Sequence, residues 1–161
     1  MYNMSKKISY TLLTLLFAFA LYAALVIGEG WDETYELLRG KSTINYLLSL
    51  GMVDNYIPYR ERNSNLYFSL LYFVTQIFPT HYKIEVSHLV NLFFSILTIF
   101  GIRKICVLFF NKVVGNISFL ILFSFPIFFG HMAFNSKNTI IAFSHVWILY
   151  LIFKYLKNQN I

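Results

Sequence analysis

Four carboxylates, Glu29, Asp32, Glu33 and Glu36, fall within eight residues of the stretch G-E-G-W-D-E-T-Y-E-L-L-R-G-K, residues 28–41. They follow directly on the uncharged apolar run 8–28, so acidic chemistry begins where a hydrocarbon-compatible segment stops. Trp31 and Tyr35 among the acids are amphipathic rings suited to the headgroup level of a bilayer. Asp32 and Glu33 are adjacent and cannot share one helix face, so a reactive role for one leaves the other free to orient or cap. A carboxylate at a bilayer edge is partly desolvated, which raises its proton affinity toward the range a general base needs. A reactive role is considered for Asp32, with Glu33 left to orient or cap. The plainer alternative is a solvated acidic patch at a helix start, where Asp and Glu also favour the N-terminal dipole.

For an anionic partner the same region and one later loop offer Arg39, Lys41, Arg60, Arg62, Lys83 and Lys137. Arg60 and Arg62 carry planar forks that match phosphate oxygens, although anionic headgroups or water are the commoner partners of such residues. The histidines are His81, His88, His131 and His145, and none pairs with another at the i, i+4 spacing of a helical metal-ligand set. No metal ligands are therefore assigned, and a divalent cation at the carboxylates stays open. His88 and His131 sit near the ends of apolar segments, where they could approach Asp32 or simply be satisfied interfacial rings. Asn91 is expected to donate a hydrogen bond between helices.

These residues need elements to hold them, and the composition says which kind. Of 161 residues, 58% are hydrophobic and 12% charged, where soluble domains carry about a quarter charged. An integral membrane protein is expected. All seven acidic residues lie between Glu29 and Glu85. The net charge of +6 has no basic stripe on a soluble domain behind it, so no nucleic-acid partner is expected and the excess is read as topogenic Lys and Arg. The single cysteine, Cys106, cannot form an intrachain disulfide.

Residues 8–28 would make a helix about 31 Å long, enough for a hydrocarbon core of ~30 Å. A cleaved signal peptide is the competitor, with Ala18-Phe19-Ala20 as its site, but the apolar run continues past it. Lys6 and Lys7 put the N-terminus in the cytoplasm. The outer loop, residues 29–85, contains two helix-like pieces that suit the interface. The second, residues 66–78, gives only about 20 Å of helix and is expected to lie along the membrane. Further spans are expected at 86–102, 113–130 and 139–153. Lys6, Lys7, Arg103, Lys104, Lys112, Lys154 and Lys157 then face the inside, with no acid among them. The expected fold is all-α: a polytopic membrane helical bundle of about four transmembrane helices, with interfacial helices in the first outer loop, in one domain.

Four runs in this order resemble the N-terminal part of the polyprenyl-phosphate-dependent glycosyltransferases of the protein mannosyltransferase type, which have the GT-C fold. They are W-D-E-T-Y at 31–35, Y-F-S-L-L-Y-F at 67–73, S-H-L-V-N-L-F-F-S at 87–95 and F-P-I-F-F-G-H-M-A-F-N-S-K-N at 125–138. The resemblance implies transfer of a sugar from a polyprenyl-phosphate-linked donor to an acceptor hydroxyl at the outer face of a bacterial inner membrane. Asp32 would be the base, and Lys137, Arg60, Arg62, His131 and His88 would serve the substrate. Asn138 stands where one branch of the family carries an acid and Ser136 where it carries proline, so a second outer carboxylate is missing from that loop. Family members are several times longer, so the chain is expected to be an N-terminal portion, inactive by itself if the later helices are needed. The rival expectation is a non-enzymatic polytopic membrane protein, a small transporter subunit or assembly partner, whose outer acids bind a cation or another protein.

Overall fold

The computed structural model describes residues 2–52 and 65–159, with the side chains of residues 2–9 and 65 left aside. The described residues are helical and contain no strand. Seven α-helices follow one another: α1 (Tyr2–Val26), α2 (Glu33–Leu48), α3 (Asn65–Thr75), α4 (Lys83–Phe109), α5 (Lys112–Ser124), α6 (Pro126–His131) and α7 (Ser136–Asn158), with a single 3-10 turn, Thr80–Tyr82, leading into α4. Two helical stretches, Thr80–Phe109 and Ser136–Asn158, are long and apolar enough to cross a membrane. That length and composition suit association with a lipid bilayer.

Local chemistry sets the boundaries. The expected span 113–130 is two helices, because Pro126 offers no amide hydrogen and disfavours a helical backbone at the residue before it. Phe125 is accordingly extended, with φ −69° and ψ 116°, and α6 starts on the proline. Asn111 caps α5 by accepting from the amides of Val113 and Val114 at 2.9 and 3.0 Å. Asn135 caps α7 by accepting from the amide of Asn138. Each supplies a side-chain oxygen to amides that the first helical turn leaves unpaired. The two pieces expected in the first loop are both helical. The first is the continuous α2, which runs through Gly40. The second, α3, spans 11 residues.

α4 is the hub against which α1, α3, α5 and α7 pack. The C-terminal part of α1 meets its start, where the Ala24 carbonyl lies 2.9 Å from His88, while Tyr10 and Leu13 share a cleft with Phe100 and Arg103. α1 and α4 therefore run antiparallel. α5 is antiparallel to α4 as well: Gly115 lies against Val107 and Arg103, and the Phe119 ring meets Phe100 at 5.0 Å. α7 runs parallel to α4, since Ser95 faces Thr139, Gly101 faces Val146 and Leu108 faces Lys157.

The burial pattern is inverted relative to a water-soluble bundle. α4 buries Ser87 and, from His88 on, Asn91, Ser95 and Thr98 at steps of three or four residues, whereas Phe93 and Phe100 are exposed. The outer surface of the whole chain carries Leu12, Leu15, Phe19, Ile121, Ile148 and Leu151 among many exposed apolar residues. A continuous apolar surface of this kind is costly in water and costs nothing in lipid. Two apolar clusters lie inside. One joins Ala20, Ala24, Leu92, Ile99, Phe119, Phe123 and Met132. The other joins Leu37 of α2 to Tyr67, Phe68 and Leu71 of α3.

Candidate functional site

The acids of residues 29–36 gather where α1 ends, α2 begins, α4 begins and α7 begins. Asp32 occupies the N-cap position of α2, yet its side chain caps no amide. Its carboxylate instead points outward, 60% exposed, with Oδ2 3.5 Å from Lys137 Nζ. The plain helix-capping role open to Asp32 is thus not taken up by its side chain. Glu29 is tied to the same turn by a hydrogen bond from the Thr34 hydroxyl.

Glu33 is turned inward and is only 4% exposed. Its Oε2 accepts from the Gly30 amide at 2.5 Å, and its Oε1 lies 2.7 Å from His88 Nε2. His88 is fully buried, and its Nδ1 faces the Ala24 carbonyl. A carbonyl only accepts, so Nδ1 carries a hydrogen. A carboxylate oxygen on the other side then requires a second proton between Nε2 and Oε1, shared by the pair. A buried charge is tolerable only when so paired. The result fastens α1, α2 and α4 together at one point directly behind Asp32.

Glu36, one helical turn beyond Asp32 and Glu33, is the residue that sequence reasoning left out. It is buried, accepts a hydrogen bond from the Ser136 hydroxyl at the start of α7, and lies 3.8 Å from Lys137 Nζ. Burial is the main cause that raises its carboxyl pKa above 4.5, with the neighbouring charges of Asp32 and Glu33 acting in the same direction, and Ser136 and Lys137 opposing. The spacing of Glu33 and Glu36 on one helix face was the available signal. The contact to Ser136, which is 100 residues away in sequence, had none.

Among the expected site residues, Asp32, Glu33, His88 and Lys137 therefore come together. His88 approaches Glu33 and not Asp32, and with both nitrogens engaged it has none left for a ligand. Lys137 stands between two carboxylates, 30% exposed. His131 lies elsewhere, beside Asn135, whose Nδ2 faces its Nδ1 at 3.3 Å. It lines a mostly apolar cleft of about 540 Å³ between α4, α5, α6 and α7, bordered by Leu122, Phe125 and Phe128 and also by Ser95, Asn138 and Thr139. Arg60 and Arg62 lie outside the described residues. Of the other cations, Lys41 and Lys83 line a 300 Å³ cleft with Thr34 and Tyr72, while Arg39 is buried with its guanidinium 5.0 Å from the Tyr35 ring centroid.

Asn91 joins α3 to α4, but as acceptor and not donor: its Oδ1 receives the Tyr67 hydroxyl at 2.6 Å. Burial and the charge of Glu36 push the Tyr67 phenol well above its usual pKa, so it stays a donor. Among the described residues no three His, Cys, Asp or Glu side chains are grouped to hold a metal ion. Comparison with protein families, with curated proteins and with solved structures finds no match to this chain.

Proposed function

We propose that the chain is the N-terminal portion of a polytopic membrane glycosyltransferase like those of the protein mannosyltransferase type. It would transfer a sugar from a polyprenyl-phosphate-linked donor to an acceptor hydroxyl. In this reading α1, α4, α5 with α6, and α7 cross the membrane in alternating directions, and α2 and α3 lie at the outer face of a bacterial inner membrane. The antiparallel and parallel pairings of those helices support the alternation. So does the separation of charge, with the described acids at one end and Arg103, Lys104, Lys112, Lys154 and Lys157 at the other.

The observation that carries the proposal is the meeting of Asp32 and Lys137, 105 residues apart in sequence, at 3.5 Å. Each was assigned from a different run, one as base and one as phosphate partner. In the reaction, Asp32 takes the proton of the acceptor hydroxyl as its oxygen bonds to the anomeric carbon. The bond from that carbon to the phosphate oxygen breaks, and Lys137 offsets the charge gathering on the departing polyprenyl phosphate. Glu33, held by His88, fixes the start of α2 and hence the direction of Asp32. The mostly apolar cleft bordered by Asn138 suits the lipid part of such a donor.

The test uses membranes containing the gene's full-length product and a panel of labelled polyprenyl-phosphate sugars. Asp32→Asn is expected to lower transfer by roughly 10²–10⁴-fold, the usual worth of a positioned base, with the protein still inserted at wild-type level. Transfer undiminished by Asp32→Asn would remove the base. No transfer by the wild type with any donor would leave the non-enzymatic reading, an outer acidic site for a cation or a protein.

A further inference from the structure

We infer that the end of the bundle opposite Asp32 holds a site for an anionic phospholipid headgroup, built by Arg103 and Lys104 of α4 with Lys157 of α7. The inference rests on the membrane reading of the chain and is independent of the glycosyl-transfer chemistry. A pocket of about 270 Å³ is lined by these three cations with Val107, Leu108 and Tyr150.

Each cation is set in place by the fold without having its charge met. Arg103 donates through Nε to Asn116 Oδ1 at 2.9 Å, which leaves its two terminal nitrogens without a partner among the described residues. Lys104 is stacked 5.4 Å from the Trp147 ring and 5.3 Å from the Tyr150 ring. Lys157 donates to the Leu108 carbonyl at 2.5 Å, one of the carbonyls that the last turn of α4 leaves open, and keeps two N–H groups. Among the described residues no acidic side chain lines the pocket, so its three positive charges have no counter-charge there.

The surroundings select the anion. Phe109, Phe110, Leu151 and Ile152 beside the pocket are all exposed, a surface that suits acyl chains and not water. A phospholipid brings an apolar part that this surface can take up, which a soluble anion lacks. Basic pockets between membrane helices on the cytoplasmic side recognise anionic headgroups in this way, and the arginine fork adds bidentate contact to phosphate.

Trp147, which touches Lys104, is a built-in reporter, because the chain has 2 tryptophans and Trp31 is wholly exposed at the other end. The Trp31→Phe chain is reconstituted in phosphatidylcholine vesicles containing dibrominated phosphatidylglycerol or, in a matched set, dibrominated phosphatidylcholine. Brominated phosphatidylglycerol is expected to quench Trp147 at a mole fraction lower by roughly fivefold or more, the worth of one to two basic residues at an anionic surface. Arg103→Gln, Lys104→Gln and Lys157→Gln should each remove most of that preference, and all three together should abolish it while quenching by brominated phosphatidylcholine persists, which shows that the variant remains inserted. Equal quenching by the two lipids in the wild type, or a preference that survives the triple substitution, overturns the site. A preference erased by excess inorganic phosphate overturns the choice of a lipid as occupant. No quenching by either lipid overturns the site and the membrane reading together.

Discussion

His88 has no exposed surface, and its two nitrogens reach one residue of α1 and one of α2. Removing either half of its pair with Glu33 leaves the other buried without its opposite charge, held only by Ala24 or Gly30. His88→Ala and Glu33→Ala are each expected to lower stability by about 3–5 kcal/mol, whereas replacing both by apolar residues of similar volume should cost much less. Thermal unfolding of the detergent-solubilised variants reads the difference, and a double replacement as damaging as the sum would contradict the pairing. Glu36 behaves differently. Its carboxyl binds a proton more tightly in the folded chain than in the unfolded one, chiefly because it is buried. Its cost to stability is therefore absent below the unfolded value of 4.5, grows as pH rises through the folded pKa, and is complete above it. Glu36→Gln, which can still accept from Ser136, should raise the melting temperature at neutral pH and lose that advantage near about pH 4. An advantage that is constant across pH would show that the proton is not the cause. Of these residues, Asp32 and Lys137 were singled out in separate runs of the sequence, and the fold brings them to 3.5 Å. Glu33 was legible as a neighbour of Asp32. Glu36 with Ser136 was not, since nothing in local sequence says which buried acid a serine 100 residues away will meet.

At the scale of elements, glycines set how closely two helix pairs approach. A Cβ on Gly40 would run into the Phe68 backbone carbonyl of α3, so only glycine lets α2 and α3 touch backbone to backbone. Gly101 against α7 is the milder case, because the obstacle is a Val146 methyl at 2.5 Å that can turn away. Gly40→Ala is expected to destabilise the chain by roughly 1–3 kcal/mol, the usual cost of overpacking, and Gly101→Ala by less. Equal losses, measured as shifts in thermal midpoint, would contradict the backbone contact. Gly40 also shows where sequence reading falls short: a glycine inside an apolar pattern reads equally as a helix break or as a close crossing, so the helix-like piece 34–50 was legible but its backbone contact with α3 was not. Pro126 was the opposite case. Its effect on Phe125 is dictated locally, yet the surrounding apolar residues masked it in a reading by hydropathy alone. The long apolar runs of α4 and α7 were plain from composition, because nothing but length and side-chain polarity is needed to recognise them.

Among the described residues, the acids all lie at one end of the bundle, by the start of α4. From His88 to Leu108 the helix rises about 30 Å, close to the thickness of a hydrocarbon core. Glu33 sits at one limit and Lys157 at the other. Between them, Asn91, Ser95 and Thr98 are buried beside Leu92 and Ile99 while Phe93 and Phe100 face outward, an arrangement that suits a bilayer. The proposed chemistry depends on this sorting, since Asp32 must face the compartment in which a lipid-linked sugar is presented. Side-specific labelling tests that requirement most directly. In a Cys106→Ser background, Trp31→Cys, at a position that is wholly exposed, and Lys112→Cys, at the far end of the bundle, are each treated in intact cells with a membrane-impermeant maleimide. The account predicts that Trp31→Cys is labelled from outside and Lys112→Cys only after the cells are opened. Labelling of both from the same side, or of Lys112→Cys alone from outside, would contradict it.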